Sequence, residues 1–293
     1  MMRLAEIFGS RLKLDYPLAE DTSLKIGGKA EGMLEVSTID ELRQVVLLTR
    51  ESGLPLKILG HGTNILVSDE GVSGLVIKLK GDFCRVRKKG DHRLILGAGC
   101  PLSLLIEEAV QKELMGPEIL IGIPGSIGGA IAVNAGTDNG CIGDIVESVK
   151  IMTLQGAVID KEKSELGFGY RSSSLQSGQI ILEATFCLSQ GHDIRERIRQ
   201  IQNKRRATQP SGVKTAGCVF KNPEGDFAGR LIEEVGLKGY QIGNVKISET
   251  HANFFINRGG STAKDFLTLM GYVQERVKLL QGIELSPEIV IFK

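Results

Sequence analysis

Tryptophan is absent from this 293-residue chain, and aromatic residues make up only 5% of it. That excludes the stacking platform on which single-stranded nucleic acid is held. Charge of one sign is also lacking, since 36 Lys and Arg oppose 35 Asp and Glu for a formal net charge of +1. No global field draws the chain to nucleic acid or to an anionic membrane, so anionic ligands must be met locally. No apolar run approaches the roughly 18 residues of a membrane span. The opening Met1-Met2-Arg3-Leu4-Ala5-Glu6 leads into mixed polar sequence rather than a secretory leader. The five cysteines (Cys84, Cys100, Cys141, Cys187, Cys218) are scattered, odd in number and without C-x-x-C spacing. That argues against a disulfide framework and against structural zinc. The expectation is a protein of the reducing cytoplasm, with no metal and with neither nucleic acid nor membrane as partner.

What the sequence has in excess is glycine, 37 residues gathered into a few loops. Between those loops the apolar spacing is regular. Thr38-Ile39-Asp40-Glu41 reads as a capping box, followed by Leu42, Val45, Val46 and Thr49 on one helical face. Leu56–Leu59, Leu75–Leu79 and Leu94–Leu96 read as strands, and Leu102, Leu105, Ile106 and Ala109 as the buried face of a second helix. Val146–Leu154 and Ile180–Leu188 read as longer strands. Residues 192–209 predict a charged helix, Ala228–Val235 a short one, Thr262–Leu280 a long one, and Glu288–Phe292 a closing strand. Short strands with separated helices predict an α+β fold. A change of character near 190 and a softer one near 80 divide the chain into 1–80, 81–190 and 191–293.

Two glycine loops have the form of anion or cofactor cradles. Gly60-His61-Gly62-Thr63-Asn64 follows a strand, and its glycines let successive N–H groups converge on one anion. A tight turn has the same composition. The strand Ile65-Leu66-Val67 that follows excludes a Rossmann fingerprint, and no Gly-Lys-Ser/Thr ending makes it a P-loop. His61 invites the thought of a covalent flavin link, although a lone loop histidine is more simply an exposed side chain. The denser segment is Gly122-Ile123-Pro124-Gly125-Ser126-Ile127-Gly128-Gly129-Ala130. Pro124 stiffens it, Gly125 permits an unusual φ, and Gly128-Gly129 admit close approach to a flat ligand. A glycine-rich corner between strands is the alternative. Two such loops suit the two ends of one long cofactor.

These loops, with Ile26-Gly27-Gly28-x-Ala30, Gly169-Tyr170-Arg171-Ser172-Ser173 and Ala216-Gly217-Cys218-Val219-Phe220-Lys221-Asn222-Pro223, resemble the UDP-N-acetylenolpyruvoylglucosamine reductases of bacterial peptidoglycan synthesis. Each motif is weak alone; five in order, from about Thr22 to about Glu288, are specific. The resemblance implies a two-part FAD-binding domain of the vanillyl-alcohol-oxidase (PCMH) type, spanning 1–80 and 81–190. A C-terminal α+β substrate-binding domain over 191–293 follows. It implies non-covalent FAD, NADPH as reductant and UDP-GlcNAc-enolpyruvate as substrate. The short stretch from Tyr170 to Cys218 is similar to the shorter form of the family, which lacks an inserted substrate loop.

The reaction so implied adds hydride from flavin N5 to an enol ether conjugated with a carboxylate. It requires one group to hold the developing negative charge and one to deliver a proton. By the resemblance, Arg171 and Glu288 serve the charge and Cys218 the proton. A guanidinium fork suits a carboxylate, whereas Glu288 must be protonated or act through water, because a bare carboxylate repels the charge. By residue type alone, Arg171 is as readily a salt-bridge partner, Glu288 a strand end and Cys218 a small buried hydrophobe. The cofactor-binding expectation covers Gly27, Gly28, Gly60, His61, Gly62, Thr63, Asn64, Gly122, Ile123, Pro124, Gly125, Ser126, Gly128, Gly129 and Ala130. Tyr170, Lys221, Asn222, Arg205, Lys214 and His251 are the substrate-binding candidates. One departure stands out: short-form relatives often place an Arg two positions after the Glu, and here that position is Val290. Two alternatives use the same motifs: another FAD-dependent oxidoreductase on this scaffold, and a non-catalytic flavin or nucleotide-sugar binder.

Overall fold

A computed structural model describes residues 1–175 and 178–293. The chain forms two compact units, each gathered from three stretches. The first comprises 1–14, 32–61 and 74–205; the second comprises 15–31, 62–73 and 206–293. Both mix helices with short, mainly antiparallel strands.

In the first unit a five-stranded antiparallel sheet runs in the order Val158–Glu162, Val146–Thr153, Gln179–Cys187, Arg93–Gly97, Val86–Lys88. Phe186 stands opposite Leu94, and both are fully buried. A parallel pair sets Leu56 opposite Leu75 and Ile58 opposite Ile77. Two helices cover this core with the faces that their spacing predicts. Ile39–Glu51 buries Leu42, Val45, Val46 and Thr49, and Leu102–Gln111 buries Leu102, Leu105, Ile106 and Ala109. Each Leu, Ile or Val among them that is removed from water stabilises the fold by about 1.5–3 kcal/mol. The expected capping box at Thr38 is half formed. Thr38 Oγ1 accepts from Glu41 N at 3.2 Å, but the Glu41 carboxylate turns to Ser37 N and to Arg11. The hydrogen bond from Arg11 holds the Glu41 carboxyl down at about 2.

The second unit packs Phe220, Phe255 and Phe266 at its centre, with ring centroids 6.1 and 5.3 Å apart along that series. Around them stand a three-stranded antiparallel sheet (Gln241–Ile242, Val245–Ile247, Phe255–Asn257) and the helices Ala228–Glu234 and Ala263–Gln281. Val290–Phe292 pairs in parallel with Ile65–Val67, Ile291 opposite Leu66. The long helix opens on a complete capping box between Thr262 and Asp265 and closes at Gly282, φ 71°. Asp69 adds a second carboxylate there, accepting from Ala263 N at 2.7 Å and Lys264 N at 2.9 Å. It satisfies two donors that the helix cannot, and its charge complements the helix dipole. Asp69→Ala is therefore expected to lower stability by about 1–2 kcal/mol, as for loss of a helix cap. Urea unfolding that leaves the midpoint unmoved would contradict that role.

Candidate active site

The glycine-rich segment of the first unit is built to expose backbone. Gly122 has φ 79° and Gly125 has φ 145°, conformations that strain any residue carrying a Cβ. Ser126 then caps the helix Ile127–Ala132, its Oγ accepting from Gly129 N at 3.2 Å, while Ile127 and Ile131 are buried behind it. Gly128 lies against Ala98, where a Cβ would stand 3.0 Å from that residue's own. At Gly129 a Cβ would meet only Ser126 Oγ at 3.2 Å and otherwise open space. The other motif joins this surface. A Cβ on Gly60 would fall 2.5 Å from Ser126 Oγ, and the His61 ring lies near the backbone of Gly99 and Gly125. His61 is exposed, as expected of a loop histidine, and partial desolvation, then Lys80 and Lys78, lowers its pKa from the ordinary imidazole value. Gly60 and His61 thus meet the Gly122–Ala130 segment that the sequence sets far from them.

The helix Ile194–Thr208 is tied to the loop leading into this surface. Arg205 Nη2 donates to Gly122 O at 2.9 Å, and its Nε lies 2.6 Å from where a Gly122 Cβ would stand. Arg197 Nη1 lies 3.5 Å from the carboxylate of Glu118, a residue only 2% exposed. Two arginines of this charged helix, one near each end, thus contact residues of the first unit.

Tyr170 and Arg171 occupy the tip of a tight turn. Gly169 and Ser172 close it with reciprocal N–H···O bonds of 3.0 and 3.2 Å. Arg171 has φ 51°, a left-handed conformation that costs a non-glycine residue about 1–3 kcal/mol. Its guanidinium carbon stands 5.4 Å from the centre of the exposed Tyr170 ring.

In the second unit the structure brings Cys218 and Glu288 onto one backbone frame. Cys218, half-buried, bridges Phe254 on one side. Its neighbour Val219 donates to Asn253 O at 2.9 Å and accepts from Glu288 N at 2.8 Å. Asn64 holds the same strand end: its Nδ2 donates to Glu288 O at 3.2 Å, and its carbonyl accepts from Val290 N at 3.0 Å. Lys221 N donates to Ser286 O at 2.8 Å, and Asn222 Oδ1 accepts from Ala228 N at 3.1 Å. Lys214 is exposed, its backbone bridged to Asn257. His251 packs on Phe254 and Gly229, and its Nδ1 accepts from Asn253 N at 3.2 Å. Burial lowers its pKa, so it presents a neutral ring with the proton on Nε2. Gly27, Gly28 and Gly62 meet protein at close range. Gly27 lies against Val67, Gly28 against Asp69 and Gly71, and a Gly62 Cβ would stand 2.1 Å from Asp21 O. Thr63 sits beside Asn64 in the same loop.

Cys218, Glu288, Asn64, Lys221, Asn222, Lys214 and His251 thus belong to the second unit. Arg171, Tyr170, Arg205, Gly60, His61 and the Gly122–Ala130 segment belong to the first. Two buried amides escape a reading of the sequence alone. Asn253, 1% exposed, grips Phe220 from both sides, accepting its N–H at 2.9 Å and donating to its carbonyl at 2.8 Å. Asn134, 5% exposed, bonds Gly143 N and Gly169 O. In each case the signal available is a polar residue set inside an apolar or small-residue run. Among the described residues no group of three or more His, Cys, Asp or Glu is placed to hold a metal ion, and no helix is long and apolar enough to cross a membrane.

A family model described as UDP-N-acetylenolpyruvoylglucosamine reductase, C-terminal domain, matches residues 209–292, and one described as FAD binding domain matches 30–161. The chain is 40% identical to the UDP-N-acetylenolpyruvoylglucosamine reductase of Desulfosudis oleivorans, over 98% of this chain and 96% of that protein. It is 41% identical to UDP-N-acetylenolpyruvoylglucosamine reductase 2 of Symbiobacterium thermophilum, over 96% and 92%. The crystal structure of the reductase (MurB) from Thermus caldophilus matches with a TM-score of 0.84 at 39% identity, covering 96% of this chain and 98% of that one. BBE-like 1 of Physcomitrella patens, 18% identical with a TM-score of 0.50 over 64% of this chain, shares the fold alone. The architecture is the α+β fold expected from the sequence, an FAD-binding domain of the vanillyl-alcohol-oxidase type with a C-terminal α+β domain. With relatives so similar along nearly its whole length, this chain belongs to the UDP-N-acetylenolpyruvoylglucosamine reductase family of FAD-dependent oxidoreductases.

Proposed function

We propose that this protein reduces UDP-N-acetylglucosamine enolpyruvate to UDP-N-acetylmuramate in the cytoplasm, with non-covalent FAD as cofactor and NADPH as reductant, in peptidoglycan precursor synthesis. In this reading 1–80 and 81–190 are the two parts of the flavin domain, and 191–293 is the substrate domain. The observation that carries it is the backbone frame on which Cys218 and Glu288 meet through Val219.

The residues present fit a flat dinucleotide. The open side of Gly129 leaves backbone as the surface, and the left-handed Gly122 and Gly125 set the course of the chain leading to it. Gly60, His61, Ile123, Pro124, Ser126, Gly128 and Ala130 complete that surface in the first unit, and Gly62, Thr63 and Asn64 continue the other motif. His61, exposed at this surface, offers a ring nitrogen for a hydrogen bond to the cofactor. FAD, when bound there, supplies the hydride that adds to the terminal enolpyruvyl carbon. The chain's own tasks concern what is left on the substrate. Negative charge develops on the adjoining carbon and spreads into the carboxylate. Arg171, permanently charged and forked, binds that carboxylate more tightly as the charge grows. Glu288 hydrogen-bonds it as a protonated acid or through water. Cys218 delivers the proton, its thiolate being far more stable than an alkoxide. Lys221, Lys214 and Arg205 supply positive charge for the nucleotide diphosphate. Tyr170, Asn222 and the neutral His251 supply contacts to substrate.

The test is a two-step anaerobic mixing experiment on the purified holoprotein. NADPH should bleach the visible flavin absorbance, and UDP-GlcNAc-enolpyruvate should restore it within the time of a turnover. Bleaching without restoration by that substrate would indicate a different flavin oxidoreductase. A colourless protein that takes up no FAD would remove the enzyme reading.

A further inference from the structure

Asn134 sits between the glycine-rich segment and the Arg171 turn, and both ends of its side chain are used. It follows the helix Ile127–Ala132 with φ 46°, a left-handed conformation that asparagine tolerates better than most residues. Its Oδ1 accepts from Gly143 N at 3.0 Å, and its Nδ2 donates to Gly169 O at 2.8 Å. Gly169 is the residue from which the Tyr170-Arg171 turn departs. Ser173, just past the turn, donates through Oγ to Ala132 O at 2.9 Å. Both sides of the turn are therefore hung from the exit of one short helix, whose entry is the Gly125-Ser126 corner. Gly143 must be glycine for this arrangement, since a Cβ there would stand 2.9 Å from Asn134 Oδ1 and 2.8 Å from the Phe168 ring.

We propose that Asn134 is a positioning residue for Arg171, fixing the turn that carries the guanidinium to the glycine-rich segment through its bond to Gly169 O. The proposal rests on the reading of Arg171 as the group that stabilises charge on the substrate. An amide with both ends committed in a buried site holds one orientation, because turning it over would set two acceptors and two donors against each other. A turn whose second central residue is held left-handed against its preference needs such an external constraint. The Arg171 fork is useful only where its direction is fixed, since misplacement of a charge-stabilising group costs rate without unfolding the protein.

The decisive variant is Asn134→Asp. It keeps the shape and the left-handed tolerance but replaces the donor facing Gly169 O by an acceptor. In the holoprotein the rate of flavin reduction by NADPH should stay within about threefold of the parent. Reoxidation by saturating UDP-GlcNAc-enolpyruvate should slow about tenfold, the kinetic equivalent of one lost hydrogen bond. Amide exchange in a peptide spanning 168–174 should quicken. The same substitution in an Arg171→Ala background should then slow reoxidation no further, because a residue acting through Arg171 has nothing left to position. Multiplying rate losses in the double variant, or equal losses in both half-reactions, would overturn the positioning role. If Arg171→Ala alone leaves reoxidation unchanged, the reading of Arg171 fails first and the proposal with it. Should Asn134→Asp not retain FAD, Ser173→Ala removes the other tie, and the same two outcomes decide.

Discussion

Cys218→Ala should slow reoxidation of the reduced protein by UDP-GlcNAc-enolpyruvate by about 10²-fold or more, as for loss of a general acid, while reduction by NADPH continues nearly unchanged. The asymmetry follows from the role: a proton is needed only after hydride has reached the substrate. The thiol is suited to the work. It is half-buried rather than packed into the core, and Gly217 before it, at φ 80°, leaves open space where a Cβ would stand. An ordinary thiol ionises near pH 8.5, so it releases a proton far more readily than serine does. Cys218→Ser should nonetheless retain much of the activity, because the hydroxyl occupies the same place and the developing charge is basic enough to draw its proton. Equal slowing of both half-reactions by Cys218→Ala would assign the thiol to packing or cofactor binding instead.

Arg171→Lys should slow the same oxidative step by about 10- to 10²-fold, in the range seen when a preorganised charge-stabilising donor is lost. Charge is conserved in that variant; the fork is not. Lysine offers one point charge on a flexible stem where arginine presents two parallel donors. Both side chains meet the same left-handed backbone at position 171. Stability should therefore change little, and a thermal melt separates a folding defect from a catalytic one. An unaltered turnover number would mean that the guanidinium serves Tyr170 or the surface rather than the substrate.

The parts of this molecule that could be read from the sequence are those governed by period and by local chemistry. The faces of Ile39–Glu51 and Leu102–Gln111 appear in the spacing of their apolar residues, and the cap at Thr262 in its partner three residues on. The fold type came through because the glycine motifs fall in a fixed order. What the sequence could not separate was the purpose of each glycine. Gly129 borders open space, whereas Gly27, Gly28 and Gly62 admit another segment of chain, and residue type is identical in both cases. The half-formed box at Thr38 had the right spacing too, but Arg11, distant in sequence, drew the Glu41 carboxylate away. Val290 looked like a missing support for Glu288. What the structure fixes there is the backbone: Asn64 donates to the Glu288 carbonyl and accepts from the Val290 N–H, and Val219 accepts from the Glu288 N–H. The value of Asn134 and Asn253 lies in what they bond across the fold, which residue type does not carry.

The second unit draws its strand Ile65–Val67 and its helix-capping Asp69 from a stretch made early, and their partners Val290–Phe292 and Ala263 from the end of the chain. At roughly 5–20 residues per second, the early pieces leave the ribosome on the order of ten seconds or more before the last strand exists. During that interval Leu66 and Val67, destined for full burial, have no native neighbour on the side that Ile291 will cover. A shortened chain restricted to 209–292 would carry the same deficit permanently. It would lack the strand beside its own C-terminus and one of the two carboxylates at the head of its longest helix.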